Sequence, residues 1–238
     1  MVSPDRDIWR STLLAGQLFK AMQMSELDAI LAMATERQVR RGQIIVQKGD
    51  AGSSMMAVLT GRVRVGANSS EGKELTLDII DPGEVFGEIA LLDGKPRSAD
   101  ATATENSTLL VLGRREVLPF LMANPDLMFR VLMVVCGRLR QSSVALEDLA
   151  LFDLPGRLAR VVLKLADDYG RKTGDGVRIN VRLSQKDLSN LVATSRESVN
   201  KQMAVWRSKG VLATEGSSMI LRDRAVLEEL VGPGRELS

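Results

Sequence analysis

The sequence contains no histidine and only one cysteine, Cys136. The absence of histidine excludes histidine-based triads, histidine general acid–base catalysis, haem ligation by histidine and zinc sites with histidine ligands. A single thiol cannot form an internal disulfide, a multi-cysteine zinc site or an iron–sulfur cluster. We therefore expect no metal, no haem and no iron–sulfur cluster, and a protein that is not an enzyme.

Long apolar runs are missing as well. No stretch approaches 18 uncharged apolar residues, so we expect no membrane span. The N-terminus carries Asp5, Arg6, Asp7 and Arg10 and has no apolar signal core. These absences indicate a soluble, cytoplasmic protein, and 238 residues suffice for one large domain or two modest ones.

The net charge of +2 conceals an asymmetry along the chain. Residues 1–153 carry 17 basic and 20 acidic side chains, whereas residues 154–238 carry 15 basic and 10 acidic ones, a net charge of +5. The C-terminal third is therefore the part suited to a polyanion.

The apolar periodicity changes along the first half of the chain. Residues 10–38 have helical spacing with a break near Ser25, which predicts helices. Short apolar runs between glycines follow and predict a sandwich, barrel or jelly roll. The predicted strands are Gln43–Val46, Met55–Leu59, Arg62–Val65, Leu75–Ile80, Val85–Phe86, Asp100–Ala103 and Thr108–Leu112.

A long helix is predicted to begin at Asn124-Pro125-Asp126, which combines an N-cap, a first-turn proline and an acid at the positive end of the helix dipole. It continues for about 28 residues, or ~42 Å. Residues spaced alternately four and three apart form a coiled-coil seam, namely Met128, Leu132, Val135, Leu139, Ser142, Leu146 and Leu149. We expect a homodimer through this seam; the alternative is a helix buried within its own domain.

Two short helices are predicted in the basic C-terminal region. Ser184 and Asp187 have capping-box spacing, and Thr194 or Ser195 can cap the second helix. In the second helix, an apolar stripe consists of Val199, Met203 and Trp206. This pattern is typical of a helix-turn-helix. A hairpin follows, formed by Val211–Thr214 and Met219–Leu221, and Gly170–Gly176 is predicted to be an exposed polar turn.

The second of these helices presents polar side chains away from its apolar stripe. Glu197 and Lys201 lie opposite the stripe, Arg196 flanks it and Asn200 is lateral. Such side chains can read bases in a DNA major groove, and Ser195 is placed to contact a phosphate. The alternative is an ordinary solvated face, with Glu197 closing a capping box with Thr194.

The segment Gly87–Ala99 lies between two predicted strands and is expected to be short and partly helical; it is called the excursion below. It contains an acid, Glu88, and an arginine, Arg97, nine residues apart. Glu88 can accept hydrogen bonds from a ribose hydroxyl, and Arg97 can pair with a phosphate to which Ser98 and helix-start N–H groups donate. The structural alternative is an internal salt bridge between Glu88 and Arg97.

Four ordered segments together resemble the catabolite activator (cyclic AMP receptor) family of bacterial transcription factors, within the CRP/FNR superfamily. They are the phosphate-binding cassette Phe86–Ala99, the helix start Asn124-Pro125-Asp126, the hinge Leu149–Asp153 followed by Gly156-Arg157, and Ser195-Arg196-Glu197-Ser198-Val199. The resemblance implies an α+β fold: an N-terminal jelly-roll cyclic-nucleotide-binding β-roll over residues 1–123, a dimerisation helix over 124–153 and a C-terminal winged helix-turn-helix over 154–238.

The resemblance also implies roles for individual residues. Glu88 would bind the ribose 2′-hydroxyl, Arg97 and Ser98 the cyclic phosphate, and the adjacent hydroxyls of Ser142 and Ser143 the base, one from each subunit. The implied ligand-binding residues are Gly87, Glu88, Ile89, Ala90, Arg97, Ser98, Ala99, Ser142 and Ser143. Those implied to contact double-stranded DNA, at half-sites resembling TGTGA, are Ser195, Arg196, Glu197, Asn200 and Lys201.

The resemblance makes cyclic AMP the leading ligand. Cyclic GMP is a real competitor, because a serine hydroxyl both donates and accepts and Ser98 directly follows the cassette arginine. A further alternative is a ligand-independent DNA-binding protein in which Glu88 and Arg97 merely pair. RNA polymerase is an expected partner, with Gly170–Gly176 as the candidate contact.

Overall fold

The computed structural model describes residues 4–20, 22–68, 74–180, 184–216 and 218–232. The chain divides into two compact units, Met1–Arg140 and Gln141–Ser238. The boundary between them falls inside one long helix, α5 (Pro125–Leu151).

The first unit is built mainly of short antiparallel strands. Its elements before α5 are α1 (Pro4–Ala15), α2 (Met24–Met33), β1 (Thr35–Val39), β2 (Ile44–Val46), β3 (Ser54–Thr60), β4 (Val63–Asn68), β5 (Glu74–Ile80), β6 (Val85–Phe86), α3 (Glu88–Asp93), β7 (Asp100–Ala103), β8 (Ser107–Gly113) and α4 (Arg114–Ala123). Within the described residues, one sheet has the order β1-β8-β3-β6 and the other β2-β7-β4-β5.

The sheet that contains β3 and β8 is covered on both faces. Val58 and Leu109 point to one side and pack with Val63, Ile80 and Phe86 of the β-roll interior. The adjacent strand residues, Ala57 and Leu110, point to the other side and belong to a core shared with helices α1, α2 and α4. Successive strand residues face opposite sides of a sheet, so burial on both faces produces the continuous apolar runs seen in the sequence. The predicted β-roll is confirmed.

The predicted helix over residues 10–38 is wrong at its C-terminal end. Residues 35–39 form β1, which pairs antiparallel with β8 from Thr35 opposite Val111 to Val39 opposite Ser107. In β1 only Val39 is buried, so the segment has no apolar alternation for a sequence pattern to detect. Pairing with a distant strand, rather than local periodicity, determines its conformation.

The second unit contains the elements that follow α5. They are α6 (Leu154–Tyr169), β9 (Gly170–Thr173), β10 (Gly176–Ile179), α7 (Gln185–Leu191), α8 (Arg196–Ser208), β11 (Leu212–Glu215), β12 (Ser218–Leu221) and α9 (Arg224–Val231). The described strands form a sheet of order β11-β12-β10-β9. The hydrophobic core of the second unit includes Leu158, Val162, Val199, Trp206 and Leu221.

The predicted polar turn at Gly170–Gly176 is also wrong over most of its length. Residues 170–173 form strand β9, which pairs antiparallel with β10. Residues 171–173 of β9 are all exposed, so the sequence of β9 lacks the apolar alternation that predicts a strand.

Among the described residues, no single helix is both long enough and apolar enough to cross a membrane. Helices α4 and α5 pass that test of length and composition only when taken together, and they are bent by 113° where they join. The described residues also contain no cluster of three or more acidic or cysteine side chains that could hold a metal ion.

Candidate functional site

The excursion Gly87–Ala99 begins with a tight turn into α3. Gly87 has φ +80°, in the left-handed region that favours glycine, and is the residue before the helix. A Cβ at this position would collide with the guanidinium of Arg97. Gly87 therefore allows the backbone at the start of α3 to approach Arg97 closely.

Arg97 is buried, with 5% of its surface exposed. Its Nη1 donates to the Gly87 carbonyl at 3.1 Å, and its Nη2 donates to Ser54 Oγ at 3.0 Å. The Nε atom is buried without a hydrogen-bond partner among the described residues. Burial lowers the pKa of Arg97, and the charges of Asp50 and Glu88 oppose that shift. A buried guanidinium with an unused N–H is a site that an anion would complete.

Glu88 is buried even more completely, with 1% of its surface exposed. Its ion pair is with Arg138 of α5 rather than with Arg97, so the expected alternative of a Glu88–Arg97 salt bridge is wrong. Its Oε1 atom has no hydrogen-bond partner in the described part of the chain. A ligand hydroxyl that donates to Oε1 would satisfy this buried acceptor.

Arg138 lies at the candidate site and was not predicted from the sequence. It pairs with Glu88, donates to the Val85 carbonyl and lies 3.5 Å from Asp78. It connects α5 to three segments of the β-roll that lie about 50 or more residues earlier in the chain. The one feature of the sequence that could have indicated Arg138 as a site residue is its position on the same helix face as Ser142, one turn earlier.

The remaining residues expected at the ligand site occupy two places. Ser98 and Ile89 are exposed, Ala99 is half-buried and Ala90 is buried, all within the same excursion as Glu88 and Arg97. Ser142 and Ser143 lie on α5 in the second compact unit, and both are exposed in the single chain. The excursion thus contains the residues expected to contact a sugar and a phosphate, whereas the two serines expected to contact a base lie on α5.

Helix α5 presents an apolar face that its own chain leaves uncovered. Of its described residues only Leu127 and Val131 are buried. The seam residues Leu132, Leu139 and Leu146 are 52%, 67% and 68% exposed. The alternative of a helix buried within its own domain is therefore wrong.

The two helices expected in the basic region are present as α7 and α8. Ser184 and Asp187 form the predicted capping box of α7. Ser195 caps α8, and its Oγ accepts from the Ser198 amide at 3.1 Å. Glu197 is therefore the second residue of α8, and the alternative capping box with Thr194 is wrong.

Helix α8 separates an inner and an outer face as expected. Val199, Met203 and Trp206 are buried. Arg196, Glu197 and Lys201 are exposed, Ser195 is exposed beside them and Asn200 is half-buried. The N-terminal half of α8 thus offers an arginine, a glutamate and a lysine to a partner, donors and acceptors suited to base edges.

The junction between α5 and α6 is held by two arginines, of which Arg160 is buried and Arg157 is half-buried. Arg160 is 7% exposed, pairs with Asp148 at 2.9 Å and lies over the Phe152 ring. Arg157 donates to the carbonyls of Phe152, at 3.0 Å, and Val192, at 3.2 Å. These contacts tie the end of α5 to the turn before α8.

Two family models match the chain in the same order as the two units. The cyclic nucleotide-binding domain matches residues 36–124, and the Crp-like helix-turn-helix domain matches residues 156–230. The first contains Glu88 and Arg97, and the second contains α7 and α8.

Curated relatives and solved structures agree with those matches. The chain is 32% identical to a cyclic AMP receptor protein from Thermus thermophilus, over 90% of this chain and 95% of that protein. It is 29% identical to a CRP-like cAMP-activated global transcriptional regulator from Mycobacterium tuberculosis, over 87% and 92%. The structure of a CRP family transcriptional regulator, also from Thermus thermophilus, matches with a TM-score of 0.69 at 27% identity, covering 85% of this chain and 100% of that one. The chain therefore belongs to the cyclic AMP receptor protein family of the CRP/FNR superfamily of transcription regulators.

Proposed function

We propose that this chain is a cyclic-nucleotide-responsive, sequence-specific transcription regulator that acts as a homodimer on palindromic DNA, with cyclic AMP as its leading ligand. The observation that carries the proposal is the pair of incompletely satisfied buried groups, Glu88 Oε1 and Arg97 Nε, on one short excursion. A cyclic nucleotide supplies both missing partners, a ribose hydroxyl and a phosphate. The relatives named as cAMP-activated or as cyclic AMP receptors favour cyclic AMP.

The pocket residues divide the ligand between them. Glu88 accepts from the ribose 2′-hydroxyl, while Arg97 and Ser98 hold the cyclic phosphate. The backbone of Gly87, Ile89, Ala90 and Ala99 forms the rest of the cassette. Arg138 already holds Glu88, so a ligand at Glu88 acts directly on a side chain of α5.

DNA binding is assigned to α8. Arg196, Glu197 and Lys201 read base edges, Asn200 supports them from the side, and Ser195 contacts a phosphate near the helix N-terminus. The domains are residues 1–123 for the nucleotide, 124–153 for dimerisation and 154–238 for DNA. A regulator of this kind works on chromosomal DNA in the cytoplasm, without catalysis, and RNA polymerase is its expected further partner.

The mechanism is a shift between two populations. A ligand favours whichever state it binds more tightly, and the shift cannot exceed that difference in affinity. Arg138 links the ligand-binding excursion to α5, and the arginines at the α5–α6 junction link the end of α5 to the helix-turn-helix. The bound nucleotide thereby favours the state in which both recognition helices of a dimer fit successive major grooves.

The direct test combines calorimetry with DNA binding. Wild-type protein is titrated with cyclic AMP and with cyclic GMP, and fluorescence anisotropy measures its affinity for a TGTGA palindrome with and without each nucleotide. We expect saturable binding and a ligand-dependent gain in DNA affinity. DNA binding that is tight without ligand, together with no heat from either nucleotide, would show the ligand-independent alternative.

Ser142→Ala tests which group reads the base. The sugar and phosphate contacts of Glu88 and Arg97 do not distinguish one base from another, so discrimination must come from Ser98, from α5 or from the neighbouring roll. Because a serine hydroxyl can meet the adenine amino group or guanine O6, its loss should weaken one nucleotide more than the other. Parallel titrations of wild type and variant with both nucleotides measure this. Equal losses, or none, would contradict base reading by Ser142.

Glu197→Ala tests direct readout by α8. A glutamate accepts from cytosine N4, so its removal should relax discrimination at one base pair of each half-site by about 1–3 kcal/mol. Binding-site selection on wild type and variant reveals the position affected. A wild-type selection without two-fold symmetry would be inconsistent with a dimeric reader.

A further inference from the structure

The outer face of the C-terminal sheet places two arginines side by side. In the pairing of β9 with β10, Arg171 lies directly opposite Arg178. Directly opposed residues of an antiparallel pair share a face, with Cα atoms about 4.5–5.5 Å apart. Like charges in this position destabilise a sheet unless something neutralises them.

One carboxylate pairs with one of these two arginines in the single chain. Glu215, the last residue of β11, forms an ion pair with Arg178. The two side chains are 63% and 35% exposed, so water screens the interaction. Arg171 is exposed and has no ion pair among the described residues. The largely solvated carboxylate of Glu215 therefore pairs with Arg178 alone, and the charge of Arg171 beside it is not neutralised by an ion pair among the described residues.

Glu215 stands at the tip of the hairpin that follows α8. Helix α8 ends at Ser208 and β11 begins at Leu212, so the hairpin is attached directly to the helix that reads DNA. Residues 212–221 contain no lysine or arginine. Within the four strands of this sheet, the lysine and arginine side chains that could contact a DNA phosphate therefore lie on β9 and β10.

We propose that Arg171 and Arg178 form a binding site for a DNA backbone phosphate, and that Glu215 pairs with the Arg178 half of this site in the free protein. Guanidinium groups pair with phosphate oxygens in a planar, bidentate fashion, so adjacent arginines suit a phosphodiester. DNA binding exchanges the Glu215 carboxylate for a phosphate. Glu215 thereby weakens binding to all sequences alike, because phosphate contacts carry no base information. This inference rests on the proposed DNA-binding function and adds a contact outside α8.

The register supplies a matched control. Lys172 follows Arg171 on β9 and lies opposite Val177, so it belongs to the other face of the sheet. Arg171→Gln and Lys172→Gln remove the same charge one residue apart. Only the first removes a member of the arginine pair.

The experiment measures the dependence of DNA affinity on salt concentration for the full chain, with a palindrome and with unrelated duplex DNA. Each phosphate contact contributes about 0.9 to the slope of log affinity against log salt. Arg171→Gln should make the slope shallower by about 0.9 per subunit, equally for both DNAs, whereas Lys172→Gln should not. Glu215→Gln should act in the opposite direction and raise affinity for both DNAs several-fold.

The outcomes distinguish this site from the proposed function. A wild-type protein that binds neither DNA would overturn both proposals. Wild-type binding with an unchanged slope in Arg171→Gln, or equal effects of Arg171→Gln and Lys172→Gln, would overturn the phosphate site alone. An Arg171→Gln variant with normal DNA binding but weaker binding to RNA polymerase would likewise overturn it and assign this face to a protein.

Discussion

Arg97→Gln is expected to reduce affinity for every cyclic nucleotide by roughly 100-fold or more. The substitution removes a buried guanidinium that is held by Gly87 and Ser54 with its Nε unpaired. Charge-assisted contacts to a phosphate are strong, and losing one partner of a buried charged pair costs about 3–5 kcal/mol. Since each 1.4 kcal/mol is a factor of about ten, isothermal calorimetry should detect little binding.

Two further variants make this measurement specific. Lys95→Gln removes the same charge from an exposed position in the same excursion, so it should bind nucleotide almost as well as wild type. Arg97→Lys keeps the charge but loses the planar fork, so it should bind with intermediate affinity. Thermal melts of each variant show whether the fold survives. Wild-type affinity in a folded Arg97→Gln protein would refute the assignment of the pocket.

The elements that the sequence predicted well are those whose signal is local. The capping box Ser184–Asp187 and the start of α5 at Pro125 are determined by residues within one helical turn. The continuous apolar runs predicted β3 and β8 because those strands are buried on both faces.

The elements that were missed depend on distant partners. β1 and β9 carry few or no buried side chains, so only their pairing with β8 and β10 makes them strands. Helix α4 (Arg114–Ala123) was not anticipated, because it contains Pro119 and buries only Val117 and Leu121. The periodicity of apolar residues therefore does not predict the secondary structure of these segments.

The candidate pocket shows the same division. Glu88 and Arg97 were found because they flank one short excursion. The sequence could not decide whether they pair with each other, because that depends on Arg138, which lies 50 residues after Glu88 and competes for it. Tertiary packing determines such a salt bridge, and the spacing of residues within a motif does not predict it.

Leu139→Asp is expected to convert the protein to a monomer with weak DNA binding. Leu139 is 67% exposed in the single chain, so the substitution leaves the core of each chain intact. In a dimer formed through the seam of α5, the new carboxylates face each other and neither chain offers a cation within the seam. Burying an unpaired charge costs several kcal/mol, and the symmetric dimer incurs that cost twice.

The matched control is Gln141→Asp, which adds the same charge two residues away on an exposed part of α5 outside the seam. Sedimentation velocity at micromolar concentration should show a dimer for wild type and for Gln141→Asp, and a monomer for Leu139→Asp. DNA anisotropy should fall in parallel, because a monomer engages only one half-site. A wild-type chain that sediments as a monomer would remove the basis for the seam, since the exposed leucines of α5 would then have no partner copy to cover them.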